Sequence, residues 1–215
     1  MVLPLSFYFI TRQFSDGRLK IPAYYRVDRI DKVIKDGKTV NDTIFHKVAD
    51  ITLTNQLGQR VSLNKDLKGK ILVIDFIFTT CPTVCPQLSG NMKDLQKAYI
   101  KKNPDLVQFI SISVDPARDS VPALRAYADR FSADHDRWWF LTGSRDSIFN
   151  YAKNELGLIL GDADVPGDFV HSQQFVLLDT ARNIRGYFDG QDKAATKQVA
   201  DDIYILNVEK RKKGR

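Results

Sequence analysis

Two cysteines supply all the thiols of this 215-residue chain, and they stand close together in Thr79-Thr80-Cys81-Pro82-Thr83-Val84-Cys85-Pro86. Paired thiols exchange disulfides, reduce peroxides or hold a soft metal, and each of these chemistries runs through the thiolate. A helix N-terminus favours the thiolate, because it carries partial positive charge. The flanking sequence provides such a terminus. The apolar run Ile71–Phe78 precedes the pair and reads as a buried strand. Leu88, Met92, Leu95 and Tyr99 follow at helical spacing and predict a helix from about Pro86 to Lys101, with Pro86 in its first turn.

Two cysteines are too few for a disulfide scaffold. Cys81 and Cys85 are separated by three residues, whereas thioredoxin-type redox motifs carry two. With Cys85 in the first helical turn, the two side chains face one side and their Cα atoms are about 6 Å apart. That separation permits a disulfide and also permits two thiolates on one cation. Two sulfurs leave a coordination position free and suit Cu(I) above other metals. Peroxidase chemistry fits less well, because the Thr or Ser that such enzymes set three positions before the reactive cysteine is replaced here by Phe78 and Pro82.

A third ligand of borderline softness would be an imidazole, and the chain has three histidines. His46 precedes a hairpin and reads as a surface or core-edge side chain. His135 lies in the hydrophilic Ala133-Asp134-His135-Asp136 and reads as solvated. His171 opens a strand after a long acidic loop, a place where ligands are often carried, and is the candidate. Because imidazole binds a metal only when neutral, such a site weakens at acid pH. Asp115 begins Asp115-Pro116-Ala117-Arg118-Asp119, which reads equally as a simple turn or as a carboxylate that tunes the site. Either Asp119 or Ser120 can cap the helix that follows. Asp162, Asp164 and Asp168 read as solvated loop residues that could at most offer an oxygen to Cu(II).

The elements that must position these residues alternate. A hairpin is expected over Val48–Leu53 and Arg60–Leu63, then the strand 71–78 and its helix. Strands at Val107–Val114 and Trp138–Thr142 are separated by a helix from Ser120 to Phe131. A helix from Ser144 to Leu156, stopped by Gly157, leads through the loop 161–170 to paired strands at Gln173–Leu178 and Ile184–Phe188. A last helix spans Lys193–Val208. Alternation implies a parallel section and the late hairpin an antiparallel one, an α/β class with a mixed central sheet flanked by helices. Thiols between a central strand and its helix make that architecture thioredoxin-like.

Bulk composition narrows the remaining choices. The chain is 43% hydrophobic and 27% charged, an ordinary globular balance. Its net charge is +6, of which five positive charges sit in Lys210–Arg215, so no basic stripe for nucleic acid crosses the body. Residues 209–215 are expected to form a basic, solvated tail. Met1–Ile10 is apolar but far shorter than the roughly 20 residues that span a bilayer. It has no basic residue ahead of it, and is read as the remnant of a membrane anchor. Residues 11–44 read as a linker or arm, with a short strand at Tyr24–Val27, and 45–208 as the folded domain.

Three stretches together resemble the SCO/SenC family of copper-binding, thioredoxin-like proteins: Ile77–Pro86, Ser113–Asp119 and Val170-His171-Ser172. The resemblance spans about residues 48–206. It implies that Cys81, Cys85 and His171 bind Cu(I) and Cu(II), and that Asp115 lies near the metal. In the family an Asp often stands directly before the histidine, where this chain has Val170. The resemblance further implies an N-terminal membrane anchor and a place on the periplasmic side of the inner membrane, or in the mitochondrial intermembrane space. It implies a role in assembling the binuclear copper centre of cytochrome c oxidase subunit II, with a copper-donor chaperone upstream. Family members deliver copper or keep that subunit's cysteines reduced, so a metallochaperone and a thiol-disulfide oxidoreductase using Cys81 and Cys85 both stand as expectations.

Overall fold

The computed structural model describes residues 22–35, 37–100, 105–162, 169–170 and 172–213. Met1–Ile10, His171, Asp164 and Asp168 lie outside them.

β1 (Val27–Lys35) and β2 (Lys38–Phe45) form an antiparallel hairpin that pairs only with itself. Where the sequence reading expects a linker or arm, the described part is therefore a long ribbon. Its signal was Asp36-Gly37 between alternating segments, blurred by charged residues on both faces. Gly37 has φ +74°, which a Cβ would strain. A two-stranded ribbon is marginal alone, and this one is fastened at its base. Arg26 Nη1 donates to the carbonyls of Asn154 and Glu155 at 2.6 and 2.8 Å. His46 stands between the carboxylates of Asp28 and Glu155 at 3.0 and 3.1 Å.

β3 (Thr52–Asn55) and β4 (Arg60–Ser62) form the expected second hairpin. They belong to a seven-stranded sheet with β5 (Ile71–Ile77), β6 (Val107–Ser113), β7 (Trp138–Thr142), β10 (Gln174–Leu178) and β11 (Ile184–Asp189), in the order β11-β10-β5-β6-β7-β3-β4. β8 (Gly161–Asp162) and β9 (Phe169–Val170) pair separately and close the neck of the 161–170 loop. β5, β6 and β7 are parallel, and β10 and β3 add antiparallel strands on either side. All seven residues of β5 are buried, as its unbroken apolar run requires of a central strand.

Helix α1 (Val84–Ile100) connects β5 to β6, and α2 (Val121–Arg130) connects β6 to β7. Right-handed crossovers running in one direction set both helices on the same face of the sheet. A hydrogen bond between the hydroxyls of Ser89 and Tyr127, 3.1 Å apart, joins them. α3 (Arg145–Asn150) continues as a π-helical turn over Tyr151–Glu155 and stops before Gly157, φ +68°. α4 (Lys193–Lys213) packs against α1 and β11. It runs past Val208, so most of the expected tail is helical, and Lys210 Nζ donates to the Gly69 carbonyl at 2.9 Å.

Two buried arginines bind the far end of the sheet to its surroundings. Arg182 donates to the carbonyls of Leu63, Leu67 and Lys70. Arg185 bonds Asp179 at 3.1 Å and Glu209 of α4 at 3.0 Å, and lies over the Tyr24 ring at 4.1 Å. Removing the cation of such a pair leaves two carboxylates facing each other in a nearly dry space. Arg185→Met is therefore expected to lower unfolding free energy by about 3 kcal/mol, read as a drop in the urea midpoint without loss of the far-ultraviolet dichroism of the folded state.

Candidate metal centre

β5 ends at Ile77, and the chain makes a short irregular loop, Phe78–Thr83, before entering α1 at Val84. The helix begins two residues earlier than its apolar spacing predicts, so Cys85 lies inside its first turn. The first turn holds no acidic residue to offset its positive end. The Cys85 amide donates to Cys81 Sγ at 3.3 Å, a contact that favours negative charge on that sulfur. Neither cysteine forms a disulfide. They differ in environment: Cys81 is 7% exposed, Cys85 is wholly buried. Burial pushes the Cys85 thiol well above its ordinary pKa, and the charge of Asp75 adds to the effect. The pair is thus asymmetric, with Cys81 slightly exposed at the loop and Cys85 sealed in the helix.

The loop owes its shape to the segment after β6. Asp119, fully buried, accepts hydrogen bonds from the Thr79 amide at 3.2 Å, the Thr79 hydroxyl at 2.5 Å and the Ser113 hydroxyl at 2.5 Å. Ser113 Oγ in turn accepts from the Asp115 amide at 3.0 Å. Thr79-Thr80 and Ser113–Asp119 are therefore one hydrogen-bonded unit. Sequence reading allots Asp119 or Ser120 to capping α2. In the structure Ser120 holds the cap position without a side-chain bond, and Asp119 turns inward instead. Asp115 is 5% exposed and its carboxylate is paired with the Arg118 guanidinium, a role that sequence spacing did not indicate.

Of the other candidates, His46 serves the β1–β2 ribbon as described. His135 lies 3.0 Å from Asp129 and 3.1 Å from the Gln56 amide. Neither belongs to the thiol site. Asp162 is in β8. Among the described residues no group of three His, Cys, Asp or Glu side chains is arranged to hold a metal ion. No helix among them is long and apolar enough to cross a membrane. The donors that the structure does describe, two reduced sulfurs at a helix N-terminus, suit a soft monovalent cation and are poor ligands for a hard one.

The residue that sequence reading missed most plainly is Asp75. It is a lone carboxylate inside the apolar run of β5, and its incongruity was the available signal. It is wholly buried, and neither oxygen has a hydrogen-bond partner of good geometry. Burial raises its pKa to about 7, only partly offset by Ser111, which lies across from it in β6.

Two outcomes follow from these environments. Asp119→Ala leaves the Thr79 and Ser113 donors without their acceptor, costing about 2–3 kcal/mol of stability. It also loosens the loop, so that Cys81 is alkylated faster by iodoacetamide in the folded protein. For Asp75, the folded state holds a proton more tightly than the unfolded chain. Its contribution is therefore fully present below the unfolded pKa of 3.8 and is lost as pH rises to about 7. Asp75→Asn removes that loss: relative to wild type it gains stability between these pH values, by at most roughly 4 kcal/mol, measurable by urea unfolding across the pH range.

A family model described as SCO1/SenC matches residues 42–205. The SCO1 protein homolog of Bacillus subtilis is 32% identical over 168 residues, covering 78% of this chain and 86% of that protein. Among solved structures, BsSco, described as a member of the Sco family of cytochrome c oxidase assembly proteins with a disulfide switch, superposes with TM-score 0.66 at 33% identity, covering 78% of this chain and 96% of that one. Bradyrhizobium japonicum ScoI, solved with copper bound, superposes with TM-score 0.60 at 27% identity, covering 71% and 97% of the two chains. The family-model match spans the seven-stranded sheet, both thiols and the Asp115–Asp119 segment, and the chain belongs to the SCO1/SenC family.

Proposed function

We propose that this chain binds copper through Cys81, Cys85 and His171 and hands it on during the assembly of cytochrome c oxidase, at the binuclear copper centre of subunit II. The observation that carries the reading is the pair of reduced sulfurs at an uncompensated helix N-terminus, with Cys81 Sγ receiving the Cys85 amide. Support for copper and for oxidase assembly comes from the copper-bound ScoI structure and from the family role of BsSco. Copper would be cargo, bound by two thiolates as Cu(I) and with the added imidazole as Cu(II). His171 directly follows β9 in sequence, and β9 pairs with β8. Asp115, paired with Arg118 and bonded through its amide to Ser113, would tune the site from outside the donor set.

The protein's residues have definable tasks in this reading. Asp119 holds the Thr79 end of the thiol loop, α1 lowers the cost of negative charge at Cys81, and burial keeps Cys85 away from solvent oxidants. Release is coupled to redox state, because sulfurs joined in a disulfide cannot ligate the cation. A membrane anchor at the apolar Met1–Ile10 end, a periplasmic or intermembrane-space location and a copper-donor protein upstream complete the proposal.

A second reading, reduction of the subunit's cysteines, is favoured by the asymmetry of the pair. Cys81 is slightly exposed and Cys85 wholly buried, the order that a nucleophile and a resolving thiol would take. The disulfide switch described for BsSco points the same way.

Anaerobic titration separates the readings. The reduced chain takes up one Cu(I), and Cys81→Ser and Cys85→Ser each weaken it by about 100-fold or more, beyond the 10–100-fold typical of outer-shell partners. His171→Ala weakens Cu(II) more than Cu(I). Unchanged affinity in all three variants sinks the copper site. Fast turnover of a disulfide substrate by copper-free protein, abolished by either serine change, makes the reductase the primary function.

A further inference from the structure

A cavity of about 300 Å³ opens beside β11, the edge strand of the main sheet, between that strand, α4 and the segment 22–25 that leads into β1. No residue of the thiol loop lines it, and neither reading of the thiol pair uses it. Its size is at the lower end of pockets that take small molecules, which run from roughly 300 to 1,000 Å³. Three aromatic rings wall it. Tyr187 and Phe188 come from β11, and Tyr25 from the incoming segment, where its amide donates to the Ile184 carbonyl at 3.0 Å. The Tyr25 and Tyr187 rings stand perpendicular, 5.4 Å between centroids, and make a corner instead of a stack. The Tyr187 hydroxyl is fixed by the Leu156 carbonyl at 2.7 Å. The Phe188 ring folds back across Gly186, where a Cβ would collide with it.

Two charged side chains line the cavity, Arg185 and Asp202. The guanidinium is already answered: it bonds Asp179 and Glu209 and donates to the Pro22 carbonyl at 2.7 Å. Arg26, whose charge reaches Tyr187, is turned to the carbonyls of Asn154 and Glu155. Asp202 is the charge left over. It follows Gln198 by one turn of α4, so both present to the cavity from one side of the helix. Its half-buried carboxylate has no hydrogen-bond donor or salt-bridge partner among the described residues. Burial raises its pKa, Asp201 adds to the effect and Arg185 offsets part of it. Such a carboxylate is costly unless a cation pairs with it. The aromatic rings favour the same sign of charge, because their faces are negative. An anion would meet repulsion from both, and a neutral ligand would leave Asp202 unpaired.

We propose that this cavity is a binding site for a small alkylammonium ion, with Asp202 as its counter-ion and Tyr25, Tyr187 and Phe188 as its walls. The carbon substituents of such an ion are what the rings can cover. A hard metal ion is disfavoured, because one carboxylate beside three rings cannot replace the several oxygen ligands that it requires. The inference is independent of whether the thiols carry copper or exchange disulfides.

The test is calorimetric titration of the full-length, reduced, copper-free chain with choline, with ethylammonium and with neohexyl alcohol, the uncharged isostere of choline, at constant ionic strength. One equivalent of ammonium ion binds saturably, and neohexyl alcohol binds about tenfold more weakly or less. Asp202→Asn weakens the ammonium ion about tenfold, between the values for exposed and for buried ion pairs. Tyr25→Leu weakens it about threefold, as expected of a cation at a partly exposed ring. Both variants keep the wild-type Cu(I) affinity and far-ultraviolet dichroism, which shows that the fold and the thiol site are intact. Tighter binding of choline than of ethylammonium assigns the site to quaternary cations, and the reverse assigns it to primary amines; either supports the proposal. Equal affinity for choline and neohexyl alcohol, undiminished binding in folded Asp202→Asn, or no saturable binding of either ammonium ion overturns it. Loss of copper binding in the cysteine variants bears on the thiol site alone and leaves these outcomes unaffected.

Discussion

A single buried carboxylate holds the thiol loop in place. Phe78–Thr83 belongs to neither strand nor helix, and its amides need acceptors from elsewhere. Asp119 supplies them at Thr79, and through Ser113 it ties the same loop to the Asp115 turn. The register of β5 against β6 brings these two segments to one end of the sheet: Ile77 lies opposite Ser113, and the Val114 amide reaches the Ile77 carbonyl at 2.9 Å. Parallel pairing is what makes the contact possible. Consecutive parallel strands finish on the same edge, so the loops that follow them meet, as in other open α/β sheets whose sites lie at the carboxyl ends of the strands.

Burial then divides the labour between the sulfurs. Cys81 remains on the loop, beside the helix terminus and with an amide directed at it, whereas Cys85 points into the space under α1. By excluding water, the same helix opposes charge on the second. An apolar chamber would make this opposition absolute. Asp75 breaks the apolar character at one point, across from Ser111 in β6.

The opposite end of the sheet is built for a different purpose. Arg182 and Arg185 gather backbone carbonyls and carboxylates from the β4–β5 connection, the β10–β11 turn and α4. Arg185 also reaches Pro22 and Tyr24, so the chain just before β1 is held against the domain. The ribbon beyond it carries Ile30 and Ile34 in exposed positions and touches the domain mainly through Arg26 and His46. Buried ion pairs and hydrogen bonds are therefore concentrated around β10, β11 and the start of β5, at the end of the sheet opposite the thiol loop.

Much of this was legible in the residues themselves. Period-2 and period-3.6 patterns located every strand of the main sheet and each helix within a few positions, because hydrophobic burial against a sheet leaves that imprint directly. The unusual chemistry of Cys81 and Cys85, their three-residue spacing and their place before a helix were equally plain. The β1–β2 ribbon was not, since a hairpin with little buried surface shows weak hydrophobic alternation. The roles of Asp119, Asp75 and Arg185 were also hidden, for a common reason. A carboxylate's or guanidinium's function depends on which distant groups surround it, and Thr79 is 40 residues from Asp119 in the chain. Local sequence determined which elements form and which side chains could do chemistry. Only the tertiary structure decided which carboxylate holds the loop, which sulfur is sealed and which charge lies beneath it, because hydrogen bonding and desolvation are properties of surroundings assembled from separate strands.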